Sequence, residues 1–80
     1  MPTIFIPAPL RELTGGVQHI EVDAGNMREV IRALERHYPG IADRLVKGDT
    51  IAPGLAVSID GSISSRGLLA KVEPQSEVHF

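Results

Sequence analysis

NMREVIRALERHYPG, residues 26–40, carries the strongest helical pattern in the chain and decides how the rest must be arranged. Met27, Val30, Ile31, Leu34 and Tyr38 recur at helical spacing and make one apolar stripe. Asn26 supplies an N-cap acceptor, and Glu29 stands three residues on, where a capping box places its carboxylate. Pro39-Gly40 ends the helix, since proline cannot continue it and glycine takes the left-handed turn that follows. One amphipathic helix has one face to bury, so a second layer must cover it.

That layer is written on both sides of the helix. Upstream, VQHIEVD (17–23) alternates, with Gln18, Ile20 and Val22 on one face and Val17, His19 and Glu21 on the other. TIFIPAP (3–9) opens as a strand with Ile4 and Ile6 inward and Thr3 and Phe5 outward. Pro7 and Pro9 weaken regular pairing, and LRELTGG (10–16) closes a short hairpin whose turn uses Gly15 and Gly16. Downstream, IADRLV (41–46) predicts a helical turn with Ile41 and Leu45 inward, and GDTIAPG (48–54) predicts a loop. LAVSID (55–60) is a strand with Leu55, Val57 and Ile59 inward and Ala56, Ser58 and Asp60 outward. Asp60-Gly61 is a two-residue hairpin turn into SIS (62–64). SRGLLAKVEPQ (65–75) is irregular, and SEVHF (76–80) is the last strand, with Val78 and Phe80 opposite Glu77 and His79. The order predicts one α+β domain over residues 1–80: a β-grasp, or ubiquitin-like, roll, with a mixed sheet of four to five strands covered on one face by the main helix.

Composition narrows the function. The 80 residues are 42% hydrophobic and 22% charged, a globular balance rather than a disordered one. With no cysteine, the chain has no disulfide, no iron–sulfur ligand and no thiolate zinc site. A net charge of −2 argues against nucleic acid and anionic membranes as partners. No apolar run is long enough to cross a bilayer, and MPTIFIPAPL lacks the basic start and long apolar stretch of a signal peptide. A cytoplasmic location is the expectation.

No catalytic constellation, metal site or cofactor motif is expected. His37 sits at the helix end, where an imidazole suits the dipole. His19 and His79 share the outer face, but the first strand lies between theirs, which puts their backbones about 9–10 Å apart. Arg28, Arg32 and Arg36 form a ridge that reads as a solvated face beside Glu29 and Glu35. Gly15-Gly16 is no phosphate loop, because no lysine-bearing helix start follows it. The outer face is more informative. Phe5 is expected there among His19, Ala56, Ser58 and His79, as a protein-docking patch or as an aromatic covered by loops.

IPAPLRELTGG (6–16), REVIRALERHYPGI (28–41) followed by RLV (44–46), VSIDG (57–61) and EVHF (77–80) together resemble the MoaD/ThiS-type ubiquitin-like sulfur carriers, in order along the whole chain. The resemblance implies a protein cosubstrate rather than an enzyme, monomeric when free. A ubiquitin-activating-type enzyme adenylates the carrier's C-terminal glycine, and sulfur transfer makes a thiocarboxylate. A biosynthetic partner of the molybdopterin, thiamine or cysteine pathway then accepts the sulfur. Such carriers end in Gly-Gly on an extended arm, and about seven extended residues reach roughly 23–25 Å. The sequence stops at Phe80, so no residue present bears the sulfur, and the expectation is a tail that follows Phe80. The alternative is a tailless ubiquitin-like module that binds or regulates a partner. Phe5, Ser58 and His79 are the expected partner-binding residues. Arg11 and Leu13 also match the family pattern, and a role in shaping the hairpin explains them equally well.

Overall fold

The computed structural model describes residues 1–48, 50–64 and 66–80. Among these residues seven strands form in chain order: β1 Thr3–Phe5, β2 His19–Glu21, β3 Val46–Lys47, β4 Thr50–Ile51, β5 Val57–Ile59, β6 Ser62–Ser64 and β7 Glu77–His79. Five of them make a mixed sheet in the order β2-β1-β7-β5-β6, with β1 parallel to β7 and every other pair antiparallel. The helix α1, Met27–His37, follows β2, and the short helix α2, Ala42–Leu45, comes directly before β3.

The register sorts the sheet into two faces. One row across it runs Ile20, Ile4, Val78, Ile59, and the middle pair is fully buried. Met27, Val30, Ile31 and Leu34 of α1 are buried in the same core, with Ile41 and Leu45 filling its end. Tyr38 is the C-cap of α1, its N–H donating to the Leu34 carbonyl, and is half-buried. Ala33 joins the buried face too, so the stripe is wider than its large residues suggest.

Both ends of α1 are tied by carboxylates and amides. Asn26 Oδ1 accepts from the Glu29 N–H at 2.9 Å, and Glu29 Oε1 accepts from the Gly25 N–H at 2.7 Å. The capping box thus reaches one residue further back than its usual form. Asn26→Ala is expected to destabilise the fold by about 1 kcal/mol and Asn26→Ser by much less, measured as shifts in a urea midpoint.

Past the helix, Gly40 has φ 97°, a conformation that a side chain disfavours. Glu35 reaches over this turn and accepts from the Gly40 N–H at 2.9 Å and the Ala42 N–H at 3.0 Å. These hydrogen bonds, Gly40's first and then Ala42's, hold the carboxyl below its usual pKa. A lowered native pKa stabilises the fold above the ordinary glutamate range, and that contribution is lost as pH falls through it. Wild type should therefore melt above Glu35→Gln at neutral pH, with the gap closing on acidification below the unperturbed value of 4.5. Parallel melts at several pH values would read it.

Three sequence readings need correction. GDTIAPG is not all loop: Thr50–Ile51 pairs antiparallel with Val46–Lys47, so Val46, the last residue of the predicted helical turn, is strand instead. Two-residue strands have no period to detect, and the pairing exists because half-buried Val46 and Ile51 pack on the core. Asp49 of that stretch lies outside the described residues. β1 and β2 form the expected antiparallel hairpin, with Gly15 and Gly16 at positive φ, but the connection is longer than a tight turn. It is a wound loop with a 3-10 helix at Ala8–Leu10, and it buries Leu10. Thr14 Oγ1 donates within this loop to the carbonyls of Arg11 and Val17. SRGLLAKVEPQ contains a second 3-10 helix at Gly67–Leu69 and a bridge from Lys71 to Asn26, while Ser65 lies outside the described residues.

Candidate functional site on the open sheet face

The face of the sheet away from α1 is built by the residues that alternate with the core row. Cα pairing places His19 opposite Phe5, Phe5 opposite His79, His79 opposite Ser58, and Ser58 opposite Ile63. One residue from each of the five strands therefore forms a continuous row. Phe5, Ser58 and His79, expected as neighbours on this face, lie together in it. His19 is there as well, on the far side of Phe5 from His79. Ala56 lies one residue before β5, exposed and outside the ladder.

Ring stacking links the centre of the row. Phe5 stacks on His79 with centroids 4.2 Å apart and planes 4° from parallel. His19 leans on the other side of Phe5 at 5.6 Å and 40°. An offset stack of this kind holds both rings in one orientation with little rotamer freedom. Phe5 is half-buried, with an imidazole on each side.

Ile63 is the member that sequence reasoning missed. It is 78% exposed, the most exposed large hydrophobic among the described residues, and ends the row at the β6 edge. The signal was present in Asp60-Gly61. A two-residue turn pairs Ile59 with Ser62 and so Ser58 with Ile63. Both turn residues have positive φ, 53° at Asp60 and 85° at Gly61, as the hairpin requires.

Beside the aromatic row runs an acidic one. Thr3 pairs with Glu21 on one side and Glu77 on the other, on the same face two residues from Phe5. Glu77 Oε1 is 4.0 Å from His79 Nε2. The open face thus presents an apolar and imidazole band bordered by two carboxylates, which suits a partner with an apolar spot beside basic side chains.

The other singled-out residues have local duties. Arg11 Nε donates to the Ile6 carbonyl at 3.2 Å, and Leu13 packs half-buried on the core, so both shape the β1–β2 loop. Gly15 and Gly16 turn the chain with φ of 68° and 93°. Among the described residues no three histidine, aspartate or glutamate side chains converge as metal ligands. No described helix is long and apolar enough to cross a membrane.

No protein-family model and no curated protein matches the sequence. Solved structures do match. A chain of the Amycolatopsis orientalis BexX/CysO complex superposes with a TM-score of 0.93 at 30% identity, covering 99% of this chain and 91% of that one. Mycobacterium tuberculosis CysO, described as an antigen, gives 0.83 at 27% identity over 99% and 94% of the two chains. SAMP1 from Haloferax volcanii shares the fold at 0.72 and 20% identity, over 98% and 89%. With helix, strand order and turns all in the places the resemblance requires, and with 30% identity sustained over nearly the full length, the chain belongs to the MoaD/ThiS-type ubiquitin-like sulfur carriers of β-grasp fold.

Proposed function

We propose that this protein carries sulfur as a C-terminal thiocarboxylate and hands it to a biosynthetic enzyme, docking on its partners through the row centred on Phe5. The observation that carries the reading is full-length similarity to a chain of a BexX/CysO complex, in which a CysO protein is bound to another protein. The open face supports it, since a stacked aromatic row bordered by carboxylates is a surface for a protein rather than for a small molecule. Phe5 and His79 anchor the interface, and Ser58 lies beside them. Because β7 leads out of the sheet next to this row, a docked partner also receives the segment after Phe80, where the reading places a Gly-Gly tail.

The chemistry belongs to the partners. An adenylating enzyme of the ubiquitin-activating type transfers AMP from ATP to the tail carboxylate and releases pyrophosphate. Hydrosulfide attacks the acyl adenylate at the carbonyl carbon, a C–S bond replaces the C–O bond to phosphate, and AMP leaves. The accepting enzyme then takes the sulfur, so the carrier is a cosubstrate.

The test uses the native gene product with its cognate activating enzyme, ATP and sulfide. A mass gain of one oxygen-to-sulfur exchange at the C-terminus is the expected outcome. An unchanged mass, with the activating enzyme shown to be competent on another carrier, would overturn the reading in favour of a tailless regulatory module.

A further inference from the structure

A second surface lies on the helix side of the sheet, past the N-terminal end of α1. There β4, β5, β6 and the 3-10 turn Gly67–Leu69 enclose an open cleft of about 810 Å³. Its walls are apolar where Ile51, Leu55 and Leu69 line it, and Leu69 is 75% exposed. Its charge is one-sided. Arg28 and Arg66 both line it, no carboxylate does among the described residues, and neither guanidinium has a carboxylate within ion-pair distance among them. The rest of the arginine ridge differs, since Arg32 and Arg36 share their groove with Asp23, Glu29 and Glu35.

Among the described residues, two guanidiniums over an aliphatic wall thus have no carboxylate beside them, in a chain whose net charge is −2. Guanidinium forks hold carboxylates in fixed geometry, and the aliphatic wall favours branched side chains. The cleft also runs beside a sheet edge: among the described residues β6 pairs with β5 alone. An edge strand leaves backbone donors and acceptors for one more extended chain. We propose that this cleft docks an extended segment of a partner protein whose every second residue is acidic or aliphatic, so that both kinds of side chain fall on the one face turned to the cleft. The segment lies along β6, with its carboxylates on Arg28 and Arg66 and its apolar side chains on Ile51, Leu55 and Leu69. This site is separate from the Phe5 row and does not depend on the carrier reading, so a partner can hold both surfaces at once.

The test is a titration of the isotope-labelled full chain with a blocked hexapeptide carrying aspartate, leucine and aspartate at positions 1, 3 and 5 and serine elsewhere, followed by NMR and by calorimetry. Expected are amide shifts confined to residues 50–57 and 62–69, and an affinity that falls as salt rises. Arg28→Glu combined with Arg66→Glu should weaken binding about tenfold or more, as expected for two lost charge-assisted contacts. Phe5→Asp should leave it unchanged. A hexapeptide with lysine in place of aspartate should not bind the wild-type chain, which tests the charge requirement without any variant. Equal binding of the two peptides, shifts centred on His19, Phe5 and His79, or no shift at millimolar peptide would overturn the proposal. So would a concentration-dependent dimer whose contacts fill the cleft, because the occupant would then be a second copy.

Discussion

Phe5→Asp is expected to weaken binding to the adenylating and sulfur-accepting partners roughly a hundredfold, with the fold intact. Buried interface aromatics commonly account for 2 kcal/mol or more when truncated, about thirtyfold in affinity. Aspartate adds to this loss. It places a third carboxylate on a face that already carries Glu21 and Glu77, and docking would strip that charge of water without a partner. The substitution spares the fold because Phe5 packs on the outward imidazoles and not under α1. Losing the stack should cost about 1 kcal/mol of stability. Binding calorimetry against each partner, with circular dichroism on the free variant, reads both quantities. Native spectra with unweakened binding would remove the Phe5 row from the interface. Phe5→Leu keeps apolar bulk but loses the stacked geometry, and a tenfold loss is expected there. That variant decides the matter if the aspartate protein proves unstable.

The outward placement of Phe5 follows from alternation alone, since Ile4 and Ile6 must face the helix and a period of two sends Phe5 the other way. The helix was equally legible, because Asn26, Glu29 and the apolar stripe state its start, its length and its buried face. Local chemistry fixed the turn at Asp60-Gly61 as well. Harder to read was anything that depends on which strands become neighbours. His79 meets Phe5 only because β7 runs parallel to β1 in the middle of the sheet, some seventy residues apart in sequence. Alternation placed His79 on the right face, but the 4.2 Å stack is a product of register. The two-residue strands β3 and β4 were invisible for the opposite reason: they are too short for periodicity, and packing under Val46 and Ile51 creates them. The Arg28–Arg66 cleft joins residues from the helix start and the post-hairpin turn, which no linear pattern links.

The same dependence on long-range register explains how β7 is held in place. Asp60 closes a three-strand junction. Its Oδ2 accepts from the Ser76 hydroxyl at 2.9 Å and its Oδ1 from the Glu77 N–H at 2.9 Å. Its own N–H donates to the Glu77 carbonyl at 2.9 Å. Ser76 is 2% exposed, and its hydroxyl oxygen also accepts from the Glu73 N–H at 3.0 Å. The Ser76 carbonyl accepts from the Thr3 N–H at 2.9 Å, which brings β1 into the junction. Every polar atom of the serine is used, so a buried hydroxyl here is no defect.

Asp60→Ala is therefore expected to destabilise the protein by about 2–3 kcal/mol. Two charge-assisted hydrogen bonds disappear, the Ser76 hydroxyl loses its acceptor in a buried place, and alanine must hold a positive φ that aspartate tolerates better. Solvent at the exposed Asp60 carboxylate keeps the figure below the sum of those effects. Asp60→Asn should lose about 1 kcal/mol or less, since an amide keeps one acceptor and the same tolerance of left-handed backbone. Chemical denaturation of the two variants gives the comparison, and equal midpoints would show that the bracket contributes nothing beyond the turn. Amide exchange supplies the functional half of the prediction. With the bracket gone, protection at Glu77, Val78 and His79 should fall more than protection in α1, because the start of β7 is no longer pinned. His79 would then lose its fixed stack on Phe5, so Asp60→Ala should weaken partner binding without altering any residue of the docking row.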